Sequence, residues 1–115
     1  MEIKRSLSNK RMSGVVEYNN VLYFAGLVSA KEGFEEQLKD ILNSFTERLE
    51  GAGSDKSRIL SALIILKDMD NFGQLNEIWE AWIDSYGPPT RATFKGDLAR
   101  PEILVEIIFT AAVGE

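Results

Sequence analysis

Apolar residues follow two spacings along the chain. Phe34, Leu38, Ile41, Leu42, Phe45 and Leu49 recur every three or four positions, the stripe of an amphipathic helix. Glu35, Glu36, Lys39, Asp40, Glu47 and Arg48 form its wet face, and Gly51-Ala52-Gly53 reads as a glycine C-cap. Phe72, Leu75, Trp79, Trp82 and Tyr86 make a second stripe, with Asp70 as N-cap and Gly87-Pro88 as stop. Such an aromatic stripe reads as core before it reads as a ligand box. Elsewhere the pattern is that of strands. Glu2 to Leu7 alternates and predicts a short edge strand, followed by a turn at Ser8-Asn9-Lys10. Ser13–Tyr18 and Val21–Val28 are β-rich runs around Asn19-Asn20, a hairpin signal. Ile59–Leu66 predicts a buried strand, and Arg91–Asp97 and Ile103–Val113 the last two.

The predicted order is βββαβαββ: a single α+β domain over residues 1–115, with two helices on one face of one sheet. No third helix is left for the other face. Tyr23, Phe24, Ile64 and Phe109 lie on strands that can contribute to it, so the pattern predicts a homo-oligomer.

Two charges interrupt strand patterns that otherwise read as buried. Arg91 follows the turn Gly87-Pro88-Pro89-Thr90, and its guanidinium is a fixed fork suited to a planar carboxylate. Glu106 sits within Leu104-Val105-Glu106-Ile107-Ile108-Phe109, sharing a face with Ile108 and Thr110. It suits general acid–base work or the holding of a water. The plain alternative for both is a structural ion pair, Arg91 with Asp97 or with Glu106. A hairpin of the last two strands would set Thr93 across from Glu106 and Arg91 diagonal to it, all on one face; a slip of one residue reverses this. Ser13, Asn76 and Thr93 are secondary hydrogen-bonding candidates. Gly26, between apolar strand residues, marks a close backbone approach to a ligand or another chain.

Composition narrows the chemistry. With no cysteine and no histidine, thiolate sites, disulfides, a Ser-His-Asp triad and the commonest metal ligand are out. No glycine-rich phosphate loop or metal-ligand cluster is present, so no cofactor is expected. A net charge of −5 argues against nucleic acid as partner. The basic residues Lys4, Arg5, Lys10 and Arg11 have no apolar run behind them, and no stretch is long enough to cross a bilayer. A cytoplasmic protein is the expectation.

Several motifs, in order, resemble one family: Arg11-Met12-Ser13-Gly14-Val15-Val16, Val21-Leu22-Tyr23-Phe24-Ala25-Gly26, Gly53-Ser54-Asp55-Lys56-Ser57-Arg58-Ile59, Leu75-Asn76-Glu77-Ile78-Trp79, Pro89-Thr90-Arg91-Ala92 and Val105-Glu106-Ile107. Together they resemble the Rid (YjgF-type, endoribonuclease L-PSP) family of reactive-intermediate deaminases, in a divergent subgroup. The resemblance implies a chorismate-mutase-like fold and a homotrimer with sites in clefts between subunits. It also implies that the last strand is inserted beside earlier ones, against the simple hairpin, with Arg91 and Glu106 converging in the cleft.

The activity it implies is hydrolysis of 2-imino and 2-enamino acids, such as 2-aminoacrylate, to 2-oxo acids and ammonia. Arg91 matches the arginine that binds the substrate carboxylate and Glu106 the acid that positions the attacking water. Asn76 and Thr93 match positions lining the cleft. Three positions depart from the family pattern: Met12 replaces a Tyr, Ala25 a Ser and Thr93 a Cys. Two further readings stand beside the deaminase: a trimeric binder of small carboxylates or 2-oxo acids without turnover, and an endoribonuclease or translation inhibitor.

Overall fold

The structure is a computed structural model and describes residues 2–83 and 87–114. Its strands are β1 (Lys4–Ser6), β2 (Val15–Tyr18), β3 (Val21–Phe24), β4 (Ile59–Leu66), β5 (Thr90–Lys95) and β6 (Val105–Ala112), with helices α1 (Phe34–Gly51) and α2 (Phe72–Ile83). The order is the one the hydrophobic pattern predicts. The predicted continuation of α2 through Tyr86 lies outside the described residues. Asn19 and Asn20 turn β2 into β3 with φ of 54° and 64°, the double left-handed pair of a tight hairpin.

The glycine cap expected over Gly51-Ala52-Gly53 is present, and the N-cap expected before α2 is displaced. Gly51 is the last helical residue of α1, Ala52 is its cap, and the glycine in the left-handed region is Gly53, at φ 80°. Ser54 N–H donates to Leu49 O and Gly53 N–H to Glu50 O, a Schellman closure. Before α2 the capping residue is Asp68, not Asp70. Its carboxylate accepts from the Asp70 N–H and opens a 3-10 turn, Met69–Asn71, that runs into the helix. Asp55 does the same before β4, and hydrogen bonds from the Ser57 hydroxyl and then its N–H hold the Asp55 carboxyl below its usual pKa.

The six strands form one mixed sheet in the order β1-β2-β3-β6-β4-β5. The last strand enters the middle, antiparallel to both β3 and β4, while β5 runs parallel to β4 at the edge. A hairpin between the last two strands is therefore overturned: β4 lies between them.

Pairing assigns every side chain a face. Val15, Phe24, Leu22, Ala62, Ile64, Leu66, Val105, Ile107, Phe109 and Ala111 point toward α1 and α2 and are buried. Phe109 is the centre of an aromatic group, with ring centroids 4.2 Å from Phe45 and 5.9 Å from both Trp79 and Trp82. Pairs of this kind add about 0.5–1.5 kcal/mol beyond the area they bury. The stripe on α2 is thus core at Leu75, Trp79 and Trp82, while Phe72 at its start is exposed.

The opposite face has no helix over it. It carries Val16, Tyr23, Thr110, Ser61, Leu63, Ile108, Ile65 and Phe94. Tyr23, Leu63 and Phe94 are 50%, 43% and 48% exposed, so an apolar surface remains uncovered in the single chain. The strands of Tyr23, Phe24, Ile64 and Phe109 do contribute to this face; of those four residues Tyr23 itself points there, while the registers of Phe24, Ile64 and Phe109 put them opposite core residues and toward the helices.

Candidate functional site

Arg91 and Glu106 lie on opposite faces of the sheet. Arg91 pairs in register with Ala62, which pairs with Phe109, and that row faces the helices. Glu106 pairs with Ile65, which pairs with Phe94, and that row faces away from them. The one-face arrangement read from a hairpin fails because β4 intervenes and the registers differ in parity. The structure thus presents two half-sites.

The first half-site is built on β5 and α2. The Arg91 Nη2 donates to Asn76 Oδ1 at 2.7 Å, and the guanidinium carbon stands 5.8 Å from the ring centroids of both Phe72 and Trp79. Residues 72, 76 and 79 recur at helical spacing on one side of α2, so a single helix face provides the acceptor and both rings. Among the described residues Arg91 forms no ion pair, which overturns the plain alternative of a bridge to Asp97 or Glu106. Of the five guanidinium N–H donors, one is taken by Asn76. The two rings flank the cation, and the remaining N–H donors suit a carboxylate.

Thr93 lies on the same face, in register with Ile64. Its hydroxyl oxygen is buried and has no hydrogen-bond partner among the described residues. Phe72 and Trp79 beside Arg91 were legible in the sequence only as core residues.

The second half-site is built on β6 and the chain just after β3. Between the pair Tyr23–Thr110 and the bridge Leu27–Ile107, three residues on one strand face two on the other, a bulge that contains Gly26. A Cβ placed on Gly26 would stand 2.2 Å from Glu106 Oε2 and 3.1 Å from Ile108 Cγ1. The close approach predicted at Gly26 is therefore made by the chain's own Glu106. Gly26 does not need a positive φ; its hydrogen is what lets the carboxylate lie there. Among the described residues, Glu106 forms no side-chain hydrogen bond or ion pair.

Ser13 and Met12 run alongside this half-site. The Ala25 N–H donates to Gly14 O, extending the β2–β3 ladder toward Gly26. The Ser13 hydroxyl is bonded to that of Ser8 at 2.8 Å, and Met12 is 51% exposed. Among the described residues no group of three or more acidic side chains is arranged to hold a metal ion, and no helix is long and apolar enough to cross a membrane.

Arg91 with Asn76 can bind a planar carboxylate. Glu106 over Gly26 can accept and return a proton. Neither reaches the other within one chain, because the sheet lies between them.

Comparison with known proteins gives this arrangement its setting. The sequence model named endoribonuclease L-PSP matches residues 3–113. A RutC family protein of Haemophilus influenzae is 42% identical, over 96% of this chain and 98% of its own. The crystal structure of a YjgF family member from Neisseria meningitidis superposes with a TM-score of 0.95 at 34% identity, covering 100% of this chain and 98% of that one. The mouse 2-iminobutanoate/2-iminopropanoate deaminase is 28% identical over 72% of this chain and 67% of its own.

Proposed function

Because the chain belongs to the endoribonuclease L-PSP family, which also bears the names RutC, YjgF and Rid, we propose that it hydrolyses reactive 2-imino and 2-enamino acids to 2-oxo acids and ammonia. The proposed site is shared: Arg91, Asn76 and Thr93 of one copy face Glu106 and Gly26 of the next across a cleft of a homotrimer. The observation that carries the reading is Arg91, a partly buried guanidinium held by Asn76 and two rings with no carboxylate of its own among the described residues. The uncovered apolar sheet face supports the oligomer, and the activity named for the mouse relative supports the reaction.

In the mechanism, Arg91 takes the substrate carboxylate through its free N–H donors and so fixes C2 of the imine. The C=N carbon is already electrophilic, so a placed water suffices as nucleophile. Glu106 accepts a proton as the water oxygen bonds to C2 of the protonated imine, giving a neutral tetrahedral carbinolamine. It returns that proton to nitrogen, the C–N bond breaks, and the freed carboxylate takes the hydroxyl proton as C2=O forms and ammonia leaves. An enamine enters the same sequence after protonation at C3. The reading has the reaction in the cytoplasm.

A second reading, carboxylate binding without turnover, is favoured by Met12 and Ala25. They stand where the family pattern has Tyr and Ser, and so remove two hydroxyls from the Glu106 side. The endoribonuclease in the family's name finds little support in a chain of net charge −5 without histidine.

The test generates imines in situ with an amino-acid oxidase and follows semicarbazone trapping. Wild type should suppress trapping, while Arg91→Ala and Glu106→Gln should not. Co-refolding the two inactive variants in equal amounts should restore about a quarter of the wild-type rate, since random assembly puts an intact Arg91 against an intact Glu106 in that share of interfaces. Suppression by wild type without recovery in the mixture would overturn the shared site. No suppression by a folded wild type would leave the binder.

A further inference from the structure

Among the described residues the Glu106 carboxylate has no hydrogen-bonding partner to orient it, so its place is set by the backbone around it. One buried side chain organises that backbone. Gln37, on α1, is 1% exposed. Its Nε2 donates to Lys31 O at 2.9 Å and to Glu102 O at 2.8 Å, and its Oε1 accepts from the Leu104 N–H at 2.9 Å. Only one orientation of the amide satisfies all three bonds.

These partners belong to two segments. Lys31 lies on the chain leaving Gly26 and Leu27. Glu102 and Leu104 lie on the chain entering β6, with Leu104 two residues before Glu106. The segments meet again at Leu27 and Ile107, where Leu27 N–H donates to Ile107 O at 2.9 Å and Ile107 N–H to Leu27 O at 3.2 Å. Glu106 is thus bracketed along its own chain, by Ile107 in the bridge to Leu27 on one side and by Leu104, held by the Gln37 amide, on the other, while the segment that leaves Gly26 is tied at Leu27 and again at Lys31. The loop is also tied to α1 by Ser29, which is buried, donates to Asp40 Oδ2 at 2.6 Å and accepts from the Lys31 N–H at 3.1 Å.

We propose that Gln37 is the positioning residue of the Glu106 half-site, its single amide fixing the distance between the chain that carries Gly26 and the strand that carries Glu106. The proposal rests on the reading of Glu106 as the group that handles the attacking water. No apolar side chain can replace this amide, because three backbone groups would lose this buried partner at once. The helix that supplies core residues through Leu38, Ile41 and Phe45 therefore also sets the catalytic carboxylate, from the far side of the sheet.

The experiment is a double-mutant cycle in the imine-trapping assay on wild type, Gln37→Leu, Glu106→Gln and the double variant, well below their melting temperatures. Gln37→Leu should lower kcat about tenfold or more while KM stays within about twofold, because Arg91 still binds the carboxylate. In the Glu106→Gln background the same substitution should change the rate less than about twofold. A folded Gln37→Leu with wild-type kcat, or with kcat and KM impaired together, overturns the proposal, as does an undiminished loss in the Glu106→Gln background. Where Glu106→Gln leaves no measurable rate, the split between kcat and KM decides. Should Gln37→Leu fail to fold, Ser29→Ala loosens the same loop and should give the same split at smaller size; wild-type constants there count against the proposal. A wild type without turnover, or a Glu106→Gln as fast as wild type, removes the deaminase reading itself; an active wild type with an additive cycle removes only the role of Gln37.

Discussion

The two half-sites are held in opposite ways. Arg91 is gripped by side chains of α2: it donates one hydrogen bond to Asn76 and lies beside two aromatic rings. Among the described residues Glu106 is held by no side-chain hydrogen bond or ion pair; it rests on a backbone bulge at Gly26 and depends on how that backbone is anchored. The difference follows from what each group is proposed to do. A cation that must present a fixed fork to a carboxylate gains from neighbours that hold its faces and leave its edge free. A carboxylate that must take a proton and give it back is better without hydrogen-bond donors that favour its charged form. Side-chain packing serves the binding group, and backbone placement serves the group that changes protonation state.

The sharpest way to break this comparison is to remove each group alone. Arg91→Ala should cost about 3–6 kcal/mol in binding of a 2-oxo acid, the worth of two hydrogen bonds to a charged group. Glu106→Gln should lower kcat by about 10²- to 10⁴-fold with binding nearly intact. Titration calorimetry beside trapping kinetics separates the two effects, and equal losses in binding and turnover for both variants would end the distinction. Gly26→Ala comes next. With 2.2 Å available to the new methyl group, the carboxylate must move, and kcat should fall about ten- to a hundredfold while 2-oxo acid affinity holds. Asn76→Ala should act on the other side only, weakening carboxylate affinity about tenfold with kcat at saturation little changed. Phe72→Leu should be the mildest, a two- to fivefold loss of affinity from a cation–π contact worth about 0.5–1 kcal/mol. A loss of kcat in either α2 variant would show that the half-sites are not independent.

Most of the fold was legible in the sequence because most of its signals are local. The stripes at Phe34–Leu49 and Phe72–Trp82, the Asn19-Asn20 hairpin and the alternation around Glu106 each concern a few neighbouring residues. What misled were the nonlocal terms. Periodicity places Glu106 opposite Val105 and Ile107 within its own strand, but only the partner strands decide which face Arg91 takes. The insertion of β6 between β3 and β4 carries no mark in Ile103–Val113 itself and entered only through the family resemblance. Which face Phe24, Ile64 and Phe109 take is decided in the same way, by their partner strands. Asp68 was missed as a cap because a 3-10 turn precedes the helix and moves the cap back by two residues. Gln37 did leave a signal. It falls on the apolar stripe between Phe34 and Leu38, where a polar residue needs a reason.

The position of β6 bears on how the molecule is made. β1, β2 and β3 can form a meander from contiguous sequence, and β4 can pair with β5 across α2, but β6 alone joins the two groups. Until residues 105–112 have left the ribosome, β3 and β4 each present an unpaired inner edge, and the apolar face of α1 lacks Val105, Ile107 and Phe109. The nascent chain is then two incomplete sheets with open edges, the state most exposed to pairing with other chains. A fold whose sequence signals are mostly local thus remains dependent, to its last strand, on a single late event of long-range closure.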